Sequence, residues 1–263
     1  MLRFRKDLRT DSSFEINLND LPSNTSEEAV GRIKNCMSDL IQRFSVMKMD
    51  ILSIGGGYCL EEREFELYDN SVTIIDIDET GNLSKILPSL RTGRSRYILS
   101  DYSKTALKTK FDLVYFSGFT PDEFHRREVL ERFSGRTDEN ITKDTNSIND
   151  WPVSISPFHP LVHKSAKNIK KNGRMIVQSY SNGFDPNQSK TFLKAAQKAF
   201  LNMGLIMEEV YSFSESPAVL LYISKKKNAP KPKGNTLTKF HGRAEISNSC
   251  VQIFSVDTQK IKI

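Results

Sequence analysis

The chain has 263 residues, of which 38 are basic and 32 acidic, and its formal net charge is +6. This length suits one large domain or two small ones and can bury a core without covalent staples. Hydrophobic residues make up 38% of the sequence and charged residues 27%, a composition that excludes a largely disordered chain. The three cysteines are far apart and odd in number, which favours a reducing compartment and argues against disulfides or a zinc site.

Membrane and secretion signals are not evident. The longest wholly apolar runs, such as residues 219–223, have about five residues, whereas a membrane-spanning helix requires about 20. The basic start at residues 1–6 is not followed by the apolar core of a secretory signal. We therefore expect a cytoplasmic protein with no membrane partner.

In chain order, residues 1–48 are predicted to form an irregular arm and one helix. Residues 1–24 are polar and lack periodicity. Ser26 is a suitable capping residue, and the acids that follow it suit the positive end of a helix dipole. Apolar residues then recur every three or four positions to about residue 46, namely Ala29, Ile33, Met37, Leu40, Ile41 and Phe44. One face of this helix is therefore expected to be buried.

Residues 49–224 alternate between short apolar runs and helical stretches. The predicted strands are 50–54, 72–76, 96–99, 111–116, 174–179, 205–213 and 218–224. The predicted helices are 59–68, 82–90, 121–132, 159–171 and 188–203, the last with Gly204 as a left-handed cap. This alternation predicts an α/β fold with a mostly parallel sheet that is covered on both faces. Because only three residues separate the last two strands, they must form an antiparallel hairpin.

Two segments stand apart from this alternation. Residues 134–158 form a long polar insertion that could be a substrate lid or a disordered insertion. Residues 225–240 are typical of a basic linker, and residues 244–256 could add one strand or stay flexible. The tail, residues 225–263, has nine basic and two acidic residues and so accounts for the positive net charge. Nucleic acid or another anionic partner is therefore expected, at most, to contact this tail.

The residues that end the first three strands are expected to bind a ligand, since open α/β sheets bind at the carboxyl ends of their strands. The first strand ends in a glycine triplet, residues 55–57, which allows positive φ angles and the close approach of a ligand. The second ends in Asp76, whose carboxylate can accept hydrogen bonds from a ribose. The third ends in Asp101 and Tyr102, which could accept from an adenine amino group and cover the ring. This set predicts a ligand that contains adenosine.

Two other nucleotide-binding patterns fit less well. The dinucleotide fingerprint requires a glycine at the position of Leu60. The chain also lacks the Gly-Lys-Ser/Thr of a phosphate-binding loop. Together with the terminal hairpin, these differences disfavour a nicotinamide dehydrogenase.

With these motifs, the sequence resembles the class I S-adenosylmethionine-dependent methyltransferases over residues 50–224. The matching segments are ILSIGGG at 51–57, TIIDID at 73–78, LSD at 99–101, FDLVY at 111–115 and KNGRMIV at 171–177. The resemblance implies S-adenosylmethionine as cofactor and a Rossmann-like, doubly wound, mostly parallel seven-stranded sheet with a terminal antiparallel hairpin. Ser53 stands where family members usually carry an acid. The glycine motif is also similar to that of the spermidine-synthase-like aminopropyltransferases, which share this fold.

The resemblance also implies roles for individual residues. Gly55 and Gly57 would border the methionine part of the cofactor, and Asp76 would hold the ribose. Asp101 would face the adenine, and Ile77 would pack against it. Further candidate cofactor contacts are Gly56, Tyr58, Tyr102 and Ser117.

The expected activity is methyl transfer to a small-molecule or unidentified acceptor, with catalysis mainly by positioning. His125 and Asp122 follow the fourth strand and are the candidate catalytic residues, although no motif assigns either a role. His159 and His163 share a helix face, but no third ligand accompanies them, so no metal is expected. Two alternatives stay open: aminopropyl or aminocarboxypropyl transfer by the same fold, and a non-catalytic methyltransferase-like binding module.

Overall fold

The computed structural model describes residues 37–38, 40–56, 60–77, 95–117, 156–181, 190–213, 218–226, 245–246 and 251–255. The chain divides into two compact units, Met1–Thr105 and Ala106–Ile263. The helices predicted at residues 82–90 and 121–132, and residues 134–155 of the predicted loop, lie outside the described ranges. Within those ranges, no helix is long and apolar enough to cross a membrane.

The described residues of the first unit form three parallel strands. Its elements in chain order are β1 (Asp50–Ile54), α1 (Leu60–Glu66), β2 (Ser71–Asp76) and β3 (Arg96–Leu99). β2 lies between the other two strands, with Ile75 beside Ile54 of β1 and Asp76 beside Leu99 of β3. The bounds predicted for β1 and β3 are confirmed.

Burial explains why these segments form strands and helices. In β1 and β2, the residues between the strand ends are buried on both faces, as expected for strands covered on both sides. Residues 37, 38 and 40–43 are helical. Four of the predicted apolar positions in and just after this segment are buried, namely Met37, Leu40, Ile41 and Phe44. This part of the predicted N-terminal helix is confirmed, and residues 26–36 lie outside the described ranges.

Asn70, directly before β2, links three segments of the first unit. Its side-chain amide donates to the carbonyl oxygens of Val46 and Phe65, at 3.0 and 2.8 Å. Its Oδ1 accepts a hydrogen bond from the backbone N–H of Met49 at 2.9 Å. Asn70 is fully buried, so these bonds take the place of water. They hold the end of the helical segment, α1 and the start of β1 together.

The described residues of the second unit form one parallel strand pair and an antiparallel extension. Its strands are β4 (Phe111–Phe116), β5 (Ile169–Ser181), β6 (Leu205–Phe213), β7 (Ala218–Lys226), β8 (Glu245–Ile246) and β9 (Val251–Ser255). Their order in the sheet is β4-β5-β7-β6-β9-β8. β4 and β5 are parallel, and every later pair in this order is antiparallel. The last two predicted strands, β6 and β7, are thus antiparallel neighbours.

The helix predicted at residues 159–171 is too long. α2 covers Pro160–Ser165 and a 3-10 helix covers Ala166–Asn168, and β5 then begins at Ile169, five residues before the predicted start. Asn172 has a positive φ of 65°, and the register between β4 and β5 shifts just after Phe111. The start of β5 is therefore irregular, which a search for simple periodicity does not detect.

The helix α3 (Lys190–Asn202) follows its prediction more closely. Ala196, Ala199 and Phe200, which belong to the predicted apolar face, are buried. Gly204 follows with a φ of 73°, in the left-handed region. The predicted glycine cap is therefore confirmed.

The tail contributes two strands, so the described residues contain nine strands where seven were predicted. β9 pairs antiparallel with β6, from Glu209 beside Ser255 to Phe213 beside Val251. β8 pairs in turn with β9, and β7 continues to Lys226. Parts of residues 225–263 therefore belong to the sheet and are not only linker and tail. The physical reason is that β6 would otherwise be an open edge, with unpaired backbone groups that a further strand satisfies.

Candidate functional site

The carboxyl ends of β1, β2 and β3 meet at one edge of the first unit. The backbone N–H of Gly55, directly after β1, donates to the carbonyl oxygen of Ile75 in β2 at 2.9 Å. The N–H of Ser100, directly after β3, donates to the carbonyl oxygen of Asp76 at 2.8 Å. The register therefore brings the predicted glycine turn, Asp76 and the start of the Asp101 segment to neighbouring positions.

Glycine is required at the two described positions of the turn. Gly55 has a φ of 77°, which side chains rarely tolerate. Gly56 is buried, and a Cβ at this position would lie 2.7 Å from Cγ2 of Ile74. The backbone of the turn therefore lies close to β2. Gly57 and Tyr58, the other predicted contacts in this segment, lie outside the described residues.

Asp76 stands beside exposed apolar surface. It ends β2 and is half-buried. Ile77, the next residue, is 65% exposed, and Leu99, which pairs with Asp76 across the sheet, is 58% exposed. These two are the only large hydrophobic residues that are exposed in the described part of the chain. An acid flanked by uncovered apolar side chains is suited to a ligand with both hydroxyl groups and a flat apolar ring.

Asp101 and Tyr102 differ in exposure. Asp101 Oδ1 accepts a hydrogen bond from the N–H of Ser103 at 2.8 Å, and Oδ2 lies 3.4 Å from Nζ of Lys104. The hydrogen bonds from Ser103 hold the pKa of Asp101 below its usual value, so the carboxylate is ionised at neutral pH. Tyr102 is only 3% exposed, and burial raises the pKa of its phenol. The structure thus places Asp101 at the surface and packs Tyr102 inside.

A buried hydrogen bond joins β1 to α1 directly beside the glycine turn. The hydroxyl of Ser53 donates to Oε1 of Glu62, and both residues are fully buried. Oε1 lies 3.2 Å from the position that a Cβ of Gly56 would occupy. The other carboxyl oxygen, Oε2, is buried and has no hydrogen-bond partner in the described structure. A carboxyl group therefore contacts Ser53, at the position where the resemblance expects an acid.

The surroundings of Glu62 raise the pKa of its carboxyl group to about 8. Burial is the largest cause because it disfavours the charged form. The neighbouring acids Glu61 and Asp76 act in the same direction, while the hydrogen bond from Ser53 acts against them. Glu62 is therefore mostly protonated at neutral pH.

Sequence reasoning did not single out Glu62. It lies in the segment LEEREFE of α1, whose charge run is typical of an exposed helix surface. The one feature of the sequence that could have pointed to Glu62 is Ser53. It stands where the family motif usually has an acid, so an acid from a neighbouring segment could be expected to take that place.

The remaining candidates lie elsewhere or outside the described ranges. Ser117 follows β4 in the second unit and is half-buried. His125 and Asp122 lie outside the described residues. His159 caps α2, since its Nδ1 accepts from the N–H of Leu161 at 3.1 Å. Among the residues that the structure describes, no group of three or more His, Cys, Asp or Glu side chains is placed to hold a metal ion.

Comparisons with known proteins find similarity among solved structures only. No protein-family model and no curated protein matches the chain. One similar solved structure is N-methyltransferase NodS from Bradyrhizobium japonicum in complex with S-adenosyl-l-homocysteine. Its TM-score is 0.47 and its sequence identity is 11%, and the aligned region covers 77% of this chain and 89% of the NodS chain. The 1,6-didemethyltoxoflavin-N1-methyltransferase of Burkholderia thailandensis, with bound S-adenosylhomocysteine, has a TM-score of 0.47 and 12% identity, covering 79% and 93%.

A third solved structure, an O-methyltransferase family protein from Burkholderia thailandensis, has a TM-score of 0.46 and 13% identity, covering 77% of this chain and 59% of its own. Similarities of this size transfer neither a substrate nor an activity to the chain.

Proposed function

We propose that the chain is an S-adenosylmethionine-dependent methyltransferase whose cofactor binds at the carboxyl ends of β1, β2 and β3. The observation that supports this most is the row formed by the glycine turn after β1, Asp76 after β2 and the exposed Leu99 at the end of β3. Neighbouring strands lie about 4.8 Å apart, so the row spans about 10 Å, a distance that a nucleoside can bridge.

Each part of the cofactor has a suitable partner in this row. The carboxylate of Asp76 would accept hydrogen bonds from the ribose hydroxyls. Ile77 and Leu99 would pack against the adenine, which would remove their exposed apolar surface from water. The side chain of Asp101 is 40% exposed, so Oδ2 can accept a hydrogen bond from the adenine amino group. The methionine part would then lie at the turn formed by Gly55 and Gly56.

The proposed mechanism relies on positioning. When bound, S-adenosylmethionine supplies a methyl group that the positive sulfur beside it has already activated. The contribution of the chain is to hold that methyl in line with the acceptor atom, which can lower the barrier by several kcal/mol, roughly 7–11 in the best cases. The rigid turn at Gly55 and Gly56 and the hydrogen bonds from Asp76 would fix the cofactor. We assign no general base.

A small molecule is the proposed acceptor. Residues 1–224 contain 29 basic and 30 acidic residues, so this part of the chain has no excess of positive charge to attract a polyanion. Residues 1–48 and the insertion at 134–158 are the segments proposed to contact the acceptor. A cytoplasmic location suits an enzyme of this kind.

Calorimetric titration with S-adenosylmethionine and S-adenosylhomocysteine tests the proposed function. The wild type is expected to bind both, and Asp76→Asn is expected to weaken binding at least about tenfold, because each lost hydrogen bond to a charged group costs about 1.5–3 kcal/mol. Asp50→Asn is the matched control, since it removes an exposed carboxylate at the opposite end of β1. The absence of binding by the wild type, or equal binding by Asp76→Asn, would contradict the proposal.

Aminopropyl or aminocarboxypropyl transfer is a second candidate, supported by the glycine motif and the DIDE sequence at residues 76–79. Both reactions would use the same kind of sulfonium ligand at the same strand ends, with the carboxyl group already removed from the donor in aminopropyl transfer. Product analysis separates both of them from methyl transfer, because transfer of either group leaves methylthioadenosine and methyl transfer leaves S-adenosylhomocysteine. Binding without turnover of any acceptor would instead favour a non-catalytic binding module.

A further inference from the structure

The carboxyl group of Glu62 has no role in the cofactor contacts assigned so far. It lies against Gly56, on the side where a side chain would otherwise stand. Its Oε2 is buried without a hydrogen-bond partner in the described structure. An unsatisfied buried polar atom destabilises the folded state. The burial of this carboxyl group beside a proposed ligand-binding turn therefore requires an explanation.

The groups that act on this carboxyl group come from three elements. Glu61 acts from the same helix, Asp76 from β2, and the hydroxyl of Ser53 from β1. Two of the three are acids, and none is a cation. The described surroundings therefore contain negative or neutral groups but no positive partner for an ionised Glu62.

We propose that Glu62 is the counter-charge for the ammonium group in the methionine part of the bound cofactor, and that Glu62 releases its proton to solvent when the cofactor binds. This inference rests on the proposed function, which places the methionine part at the turn of Gly55 and Gly56. Opposite charges attract strongly in a poorly solvated site. The cofactor thus supplies the positive charge that the site lacks, and ionised Glu62 supplies the negative charge that β1 lacks at Ser53.

The expected consequence is that cofactor binding and proton release are coupled. Since the bound state favours ionised Glu62, affinity should increase with pH until Glu62 is ionised in the free protein as well. A nucleoside without the amino-acid part should show no such coupling. Methylthioadenosine is that probe, because it has the adenosine and the sulfur but no ammonium or sulfonium charge.

Calorimetry at pH 7 in buffers of different ionisation enthalpy measures the released proton directly. For S-adenosylhomocysteine, the wild type is expected to release close to one proton, and its affinity should increase up to about tenfold per pH unit between pH 6 and 8. Glu62→Gln keeps an oxygen to accept from Ser53, and it should bind with no proton release and little dependence on pH. Asp50→Asn, which removes an exposed carboxylate at the opposite end of β1, is the control and should behave like the wild type.

The outcomes separate the two proposals. Binding of S-adenosylhomocysteine by the wild type without proton release, or with the same release as methylthioadenosine, would overturn the inference and leave the proposed function standing. Equal proton release by Glu62→Gln and the wild type would do the same. If the wild type binds neither S-adenosylmethionine nor S-adenosylhomocysteine between pH 6 and 9, both proposals are wrong. The comparison of the two ligands on the wild type decides the matter even if Glu62→Gln does not fold.

Discussion

Two buried polar residues of the first unit differ in how their hydrogen bonds are satisfied. Asn70 donates to two carbonyl oxygens and accepts from one N–H, so its side chain is well satisfied. Glu62 has one oxygen bonded to Ser53 and the other without a partner in the described structure. Asn70 is therefore expected to stabilise the fold at every pH, whereas the contribution of Glu62 should depend on pH.

Replacement of Asn70 tests the first expectation. Asn70→Ala leaves the carbonyl oxygens of Val46 and Phe65 and the N–H of Met49 without their partner, and buried groups without partners cost about 1–3 kcal/mol each, not additively. We expect the free energy of unfolding to decrease by about 3 kcal/mol in chemical denaturation. Asn202→Ala, at an exposed residue of α3, is the control and should change it by less than about 0.5 kcal/mol. A similar small change for Asn70→Ala would show that these bonds do not stabilise the unit.

The pH dependence of stability tests the second expectation. The folded-state pKa of Glu62, about 8, is above the usual 4.5. Between these values Glu62 is protonated in the folded chain and ionised in the unfolded one, so its stabilising contribution is full below the usual pKa and is lost as pH increases through the folded value. The loss from this group is up to about 1.4 kcal/mol per pH unit.

Chemical denaturation at pH 5, 6, 7 and 8 measures this loss without any ligand. The wild type should become less stable as pH increases, and Glu62→Gln, which cannot ionise, should show a smaller slope. Asp50→Asn, at an exposed carboxylate, should retain the slope of the wild type. If the slopes of Glu62→Gln and the wild type are equal, Glu62 does not titrate as described.

At the scale of elements, regular segments were predictable from the sequence and irregular ones were not. β1, β3 and β4 have the predicted bounds because each contains a short, mostly apolar run; β1 and β4 are largely buried, whereas β3 is partly exposed. β5 begins earlier than predicted because Asn172 adopts a positive φ that periodicity does not reveal. The division into two units at Thr105 also had no signal in composition.

The glycine cap after α3 is an element-scale feature that mutation can measure. Gly204 has a φ of 73°, and no heavy atom lies within 4 Å of a Cβ built there. Gly204→Ala is therefore expected to cost about 1 kcal/mol from backbone strain alone, and Gly204→Asn less, because asparagine tolerates this conformation better. Thermal or chemical denaturation of the two variants checks the order. Equal stability of Gly204→Ala and the wild type would argue against the left-handed cap.

At the scale of the whole molecule, the basic tail and the candidate site belong to different compact units. The strand-end motifs pointed to Gly55, Asp76 and Asp101 because the carboxyl ends of neighbouring parallel strands lie at one edge. Glu62 could not be predicted, since it reaches the site from a helix through burial and one hydrogen bond. The pairing of β9 with β6 could not be predicted either, because the sequence of a five-residue strand does not indicate which strand it pairs with.

Truncation of the tail tests whether it belongs to the fold. Removal of residues 245–263 takes away β8 and β9 and exposes the edge of β6. We expect a lower midpoint of thermal unfolding and increased self-association in light scattering, with cofactor binding by the first unit retained. Removal of residues 256–263 alone, which keeps β9, is the control. Unchanged behaviour of the longer truncation would indicate that β9 adds little to the sheet in solution.

The most direct test of the proposed cofactor site is to locate the bound adenine. Photolabelling with 8-azido-S-adenosylmethionine, followed by peptide mass spectrometry, reports which segments lie next to the ring. Labels are expected in peptides that contain residues 71–77 or 96–105, and excess S-adenosylhomocysteine should remove them. Labels confined to residues 106–263, or labels that S-adenosylhomocysteine does not displace, would contradict a cofactor site at the ends of β1, β2 and β3.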